Sequence, residues 1–450
     1  MAKSWHDMTA CALGDAIGRG DIDATALCEH FLARIAEHDD GRIYLRTTAE
    51  RGCAEAAAAS ERAAAGTRRS RLDGVPISWK DLYDTAGIAT EGGTPLLAGR
   101  VPERDATVLS RATRAGLICL GKTNTVQFAL GGVGTNPATG TPANAVMEDT
   151  PRAPGGSSCG AATSVARGLA AAGIGSDTGG SVRIPAAWNR LVGLKTSFGA
   201  LPCKGVLPLS PSFDTVGPLT HDVADAAALF EIMGARPTID LAGAELSSAR
   251  FLVATDVVWD DADAPIVEAV EQAISSIAAA GAIVERGPVS EFNRIDDVLN
   301  RHGSTVTAEG YVTWRDLIDN QGQTIDTAVL ARFHQGRDMA ATDIETARAA
   351  ARELAPALYA RMANYSAVLA PTVPILPPPI ADVIDDADAY ARANSMALRN
   401  TRLGNVLPCC ALSLPCGAPQ VPAGLMAMAP SGEDARLLRL GAALETALQS

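Results

Sequence analysis

The stretch DTGGSVR places Ser181 directly behind two glycines and two residues ahead of Arg183. A Gly-Gly turn lets successive backbone N–H groups converge on one point, as a carbonyl requires when its oxygen takes up negative charge. The donors on offer are the N–H groups of Thr178, Gly179, Gly180 and Ser181. A second glycine-led turn, PGGSSCG, carries Ser157 and Ser158 upstream. Between the turns, AATSVARGLAAAG is long enough for a packed helix that returns the chain and sets both turns side by side. These residue types suit acyl transfer by a serine nucleophile, which needs a base. None of the 6 histidines, His6, His30, His38, His221, His302 and His334, lies within a motif.

The surrounding pattern supplies elements that can hold such turns. Residues 8–37 read as two helices broken near Gly18 and Gly20, and Ala-rich 50–66 as a third. GVPISWKD opens as a short apolar run behind Gly74 and Pro76, a buried strand with Lys80 at its end. A helix around DATVLSRATRAG leads to a second strand, GLICLGKT, and this alternation predicts an α/β layer structure around a buried sheet. Residues 231–365 are more charged and mainly helical in pattern, ending at the strand-like SAVLAPT. No internal repeat is visible, so residues 1–450 are expected to form one domain, with a motif core at about 70–225 and a variable helical region at 231–365.

GLICLGKT, residues 116–123, matches the phosphate-loop pattern G-x-x-x-x-G-K-[ST] and raises a nucleotide-binding alternative through Lys122. A phosphate loop needs a preceding strand and a solvent-facing turn, whereas here a helical pattern precedes Gly116 and four apolar residues fill the centre. A buried strand is the better reading.

With 38 basic and 51 acidic side chains, the net charge of −13 disfavours a nucleic-acid partner. The N-terminus has no signal-peptide pattern and no apolar run is long enough to span a bilayer, so a cytoplasmic protein without membrane association is expected. Nine cysteines show neither disulfide-framework nor zinc spacing, and neither metal nor organic cofactor is expected.

Taken together, GVPISWKD, GKTNTVQFA, PGGSSCG and GIGSDTGGSVRIPAAWNRLVGLKTSFG resemble the amidase signature family of serine hydrolases in order and spacing. The resemblance is strong from about residue 8 to 225, weak through the middle, and returns in LAPTVP and in ALSLPCG followed by VPAGLMAMAPSGEDARLL. It implies a mixed central sheet sandwiched by helices. It also implies a triad in which Ser181 is the nucleophile, Ser157, after a cis bond from Gly156, the bridging serine, and Lys80 the base. The residues agree with that assignment: Lys80 ends an apolar segment, where desolvation favours the neutral amine that can accept a proton.

In some members the residue matching Arg183 binds a substrate carboxylate; bracing of the nucleophile turn through Asp177 is the role expected here. Trp79, Tyr83 and Phe128 lie beside motif residues and are candidate walls of an acyl pocket, with core packing as the alternative. Gln127 stands where the family often has an acid and is a candidate substrate contact; Cys159, Pro408 and Cys410 also depart from the usual pattern. The expected activity is hydrolysis of a small-molecule amide, carbamate or ester through an acyl-enzyme, in a protein compatible with a homodimer. The glutaminase subunit of a tRNA-dependent amidotransferase is the alternative within the family.

Overall fold

The computed structural model describes residues 4–449. Its centre is an 11-stranded sheet. In chain order the strands are β1 (Tyr44–Thr47), β2 (Pro76–Lys80), β3 (Ile118–Thr123), β4 (Gly173–Asp177), β5 (Val192–Lys195), β6 (Thr215–Thr220), β7 (Arg250–Ala254), β8 (Ile283–Gly287), β9 (Ala367–Pro371), β10 (Cys409–Cys416) and β11 (Ala423–Pro430). Their order across the sheet is β1-β3-β2-β4-β6-β5-β10-β11-β9-β7-β8. Strands β3, β2 and β4 run parallel, as do β9, β7 and β8, while the pairs from β4 to β9 are antiparallel.

Strand side chains alternate between faces, and the central strands use both faces for core. In β10, Cys410, Leu412 and Leu414 join the larger apolar cluster on one side, and Cys409 and Ala411 join a second cluster on the other. Helices cover both sides, giving the expected mixed sheet between helical layers.

Three segments differ from the pattern-based expectation. The helix expected over AATSVARGLAAAG is shorter, Cys159–Ala166, because Gly168 adopts φ +63 and the chain then extends. Ala171 donates to the carbonyl of Pro76 and Ser78 to that of Ala172, so the remaining alanines line up beside β2 and feed β4. Residues 231–365 are not helical throughout, since β7, the helix Ala264–Ala279 and β8 build a parallel βαβ unit there. GLICLGKT is mostly β3 itself, paired to β1 and β2, so its amides serve the sheet. The Lys122 ammonium is buried, donates to the Tyr83 carbonyl at 2.6 Å and Thr90 Oγ1 at 2.8 Å, and lies 3.2 Å from Asp81. That lysine pins the β2–β3 edge and does not face a phosphate site.

Candidate active site

Parallel pairing of β2 with β4 brings the end of one beside the end of the other, which is where the two serine-bearing turns meet. Lys80, the last residue of β2, is fully buried and donates to Ser157 Oγ at 2.7 Å and to Ser176 Oγ at 2.9 Å. Burial pulls its ammonium from 10.5 down to about 7, against the opposing pull of Cys159, Asp177 and Asp214. The peptide bond between Gly156 and Ser157 is cis.

The Ser157 and Ser181 turns are tied through backbone and Ser158. Ser158 N–H donates to the Ser181 carbonyl at 3.2 Å, and its hydroxyl accepts from Ser176 N–H at 3.3 Å. Ser157 and Ser181 are both almost excluded from water, at 0% and 5% exposure, and Ser181 alone of the two lines the adjoining cleft.

Asp177 ends β4 and organises the turn that carries Ser181. Its carboxylate accepts from Gly180 N–H at 2.9 Å and Val182 N–H at 3.2 Å, and takes a fork from Arg183, Nε and one terminal nitrogen each at 3.0 Å. Asn405 adds a bond to the same carboxylate at 2.9 Å. Burial alone would raise this carboxyl; the Arg183 guanidinium overrides it and holds Asp177 well below the usual carboxylate range. Arg183 is thus committed to bracing. Of the four N–H groups expected as donors, that of Gly180 is taken by Asp177, while Thr178, Gly179 and Ser181 line the cleft. Gly180 has φ +136, and a Cβ there would sit 2.1 Å from Thr401 Oγ1, so no other residue fits the turn.

The cleft beside Ser181 has a volume of about 410 Å³. Its walls include Ala129–Gly131, Thr178, Gly179 and side chains of two helices, Thr327–Asp338 and Ala387–Val406. Trp79, Tyr83, Phe128 and Gln127 are not among them. Trp79 follows Ser78 and precedes Lys80 on a strand, so it points to the opposite face from the lysine and packs edge-on against Tyr83, 5.3 Å between ring centres. The Tyr83 hydroxyl donates to the Gly175 carbonyl. Phe128 packs against Trp314 and Phe333 behind the cleft wall, and Gln127 accepts from Asp326 N–H at 3.2 Å. Cys159 is buried at the start of its helix, and burial pushes its thiol up to about 12, which makes it a packing residue.

Three further residues complete the arrangement. Ser176 could have been found from strand alternation in GIGSD, which turns it away from Asp177 and toward the lysine. Asn405, and Thr401, whose hydroxyl donates to the Gly179 carbonyl at 2.8 Å, come from a helix more than two hundred positions downstream. Nothing local marks them.

The family model for Amidase matches residues 26–438. The chain belongs to the amidase signature family. It is therefore an amidase by class, a hydrolase acting on carbon–nitrogen bonds. The chain is 35% identical over 379 residues to the 2-amino-5-chloromuconic acid deaminase of Comamonas testosteroni, covering 83% of this chain and 81% of that one. It is 30% identical to a glutamyl-tRNA(Gln) amidotransferase subunit of Koribacter versatilis (strain Ellin345), with 98% of each chain covered. A crystal structure of an amidase superposes with a TM-score of 0.88 at 30% identity, covering 98% of this amidase and 100% of the other chain. Among the described residues of this amidase, no helix is long and apolar enough to cross a membrane and no cluster of metal-ligating side chains is present.

Proposed function

We propose that this amidase hydrolyses a small-molecule amide through a Ser181–Ser157–Lys80 triad and an acyl-enzyme. The supporting observation is the buried Lys80 ammonium group 2.7 Å from Ser157 Oγ, in surroundings that favour the neutral amine near pH 7. In the forward step Ser181 Oγ attacks the carbonyl carbon, its proton passes to Ser157 and that of Ser157 to Lys80. The carbonyl oxygen becomes an oxyanion facing the free donors of the Thr178–Ser181 turn. Collapse breaks the C–N bond while Lys80 returns its proton through Ser157 to the departing nitrogen. Water then attacks the acyl-enzyme, gives its proton to the same relay, and the relay restores the Ser181 hydroxyl as the carboxylic acid leaves. Carbamates and esters share the tetrahedral centre and fit the same scheme.

Fluorophosphonate labelling followed by peptide mapping tests the nucleophile. The label is expected on Ser181 and is lost in Ser181→Ala, which should fold as the parent does while turnover is abolished. A label on Ser157 or Cys159 would overturn the assignment.

A second reading, the glutaminase subunit of a tRNA-dependent amidotransferase, is favoured by similarity to one such amidotransferase polypeptide over 98% of the chain. Self-sufficient hydrolysis of small amides by the purified chain would argue against it; glutaminase activity appearing only with partner subunits would support it.

A further inference from the structure

The walls of the Ser181 cleft carry Arg332 and Arg402 and, among the described residues, neither an aspartate nor a glutamate. This positive lining stands out in a protein whose net charge is −13. Arg402 is partly neutralised: one terminal nitrogen is paired with Asp296 and donates to Asn300 Oδ1 at 2.9 Å. Arg332 has no ion pair or hydrogen bond among the described residues. Its Nε, the Tyr390 hydroxyl and the Arg402 Nε are buried atoms without a hydrogen-bond partner. Buried donors of this kind are costly to leave unmade, and an unpaired guanidinium more so.

Geometry places these donors on one surface. Tyr390, Asn394, Leu398 and Arg402 recur every four residues along Ala387–Val406 and form one stripe of that helix facing the cleft. Ala328, Arg332, Gln335 and Met339 form the opposing stripe, contributed by the helix Thr327–Asp338 and its C-cap. The guanidinium offers a planar fork of donors, the phenol one more, and no acceptor of full negative charge lies within the cleft to satisfy them. One uncompensated positive charge calls for one anionic group on the ligand.

We infer that the substrate of this site carries a carboxylate, held by Arg332 with the Tyr390 hydroxyl, while its scissile amide lies at Ser181. The substrate class is that of small carboxylated amides, such as monoamides of dicarboxylic acids, which a cleft of about 410 Å³ can enclose. This rests on the reading of Ser181 as nucleophile. The carboxylate contact itself depends only on the cleft.

Two measurements separate the two claims. The first is kcat/KM for a series of α,ω-dicarboxylic acid monoamides against alkanamides of equal length. Wild type should prefer the carboxylated member by about 10- to 100-fold, the range that charge-assisted hydrogen bonds supply. Arg332→Gln should collapse that ratio toward one, and Tyr390→Phe should reduce it by several-fold. The second is calorimetric binding of glutarate, the diacid product of one such monoamide, to wild type and Arg332→Gln, with melting temperature as the check on folding. Glutarate binding to wild type that weakens at least tenfold in Arg332→Gln supports the inference even if Ser181 proves not to be the nucleophile. Triad-dependent turnover without carboxylate preference, or glutarate binding absent in wild type or unaltered by Arg332→Gln, overturns the inference and leaves the triad standing. Should Arg332→Gln fail to fold, wild-type preference and glutarate binding, each read with Tyr390→Phe, decide it alone.

Discussion

Replacing Lys80 tests the proposed chemistry most directly, because its magnitude follows from the burial of one group. An amine at its ordinary value of 10.5 is neutral to about 0.03% at pH 7; at about 7, half of it is neutral. Burial thus raises the population of working base by about three orders of magnitude at neutral pH. Wild-type kcat/KM on an amide should rise with pH through about 7 and level off above about 8, since only the deprotonated amine accepts the proton. Lys80→Ala should lower it by about 10²–10⁴-fold and abolish that limb. The loss should be larger on an amide than on its matched ester, because the amide nitrogen needs the returned proton more than an alkoxide or phenoxide does. Lys80→Arg should not restore activity, as a guanidinium stays charged. The same group also gives a stability signature. Native Lys80 releases its proton near pH 7 and the unfolded chain only near 10.5, so unfolding takes up a proton between those values and stability climbs with pH across that window. The climb amounts to about 5 kcal/mol and should be missing from Lys80→Met when the two proteins are compared by denaturant unfolding. A pH–rate profile for an amide and its ester, in wild type and Lys80→Ala, is the decisive assay. A nearly fully active Lys80→Ala removes the lysine from the mechanism, and equal losses on both substrates remove its acid role.

Arg183→Met leaves the buried Asp177 carboxylate without its main partner and should cost about 3–5 kcal/mol at pH 7 by urea unfolding. Because the native Asp177 carboxyl is depressed, this contribution is present above its unfolded value of about 3.9 and fades as pH falls below it, so the deficit should shrink in acid; a deficit under about 1 kcal/mol at pH 7 would refute the bracing role. Calorimetry with ATP and magnesium should show no binding to wild type, since Lys122 is buried on Tyr83, Thr90 and Asp81; micromolar affinity would overturn the structural account of GLICLGKT.

Much of the site was legible because its parts are local. The strands around Lys80 and Ile118 are short apolar runs behind glycine and proline, and the two serine turns declare themselves by glycine pairs. The expectation fails where neighbours in sequence are not neighbours in space. Trp79 adjoins Lys80 in the chain, yet strand alternation sends it into the core with Tyr83, and Phe128 turns away from the cleft onto Trp314 and Phe333. Gly180 reads in sequence as one of four equivalent donors, but Asp177, three residues before it, occupies its amide. The helix expected to span the gap between the serines stops at Ala166, because the strand pairing of Ala171 and Ala172 with β2 outweighs alanine's helical preference.

By itself the sequence determined which backbone can turn, which runs can be buried and which side chains have usable chemistry: Ser181 behind its glycines, Ser157 behind Gly156, Lys80 at a strand end. These depend on φ freedom, hydrophobicity and functional groups, all properties of residues and their immediate neighbours. Only the tertiary structure decided what surrounds each group. The amine of Lys80 is drawn toward its neutral form because the sheet desolvates it beside Ser157 and Ser176. The turn that carries Ser181 is held by Thr401 and Asn405. The cleft owes its charge to Arg332 and Arg402, on helices that carry no motif. Desolvation and charge pairing act through space and fall off over a few ångströms, so contacts between residues hundreds of positions apart set them, and no local spacing encodes those contacts.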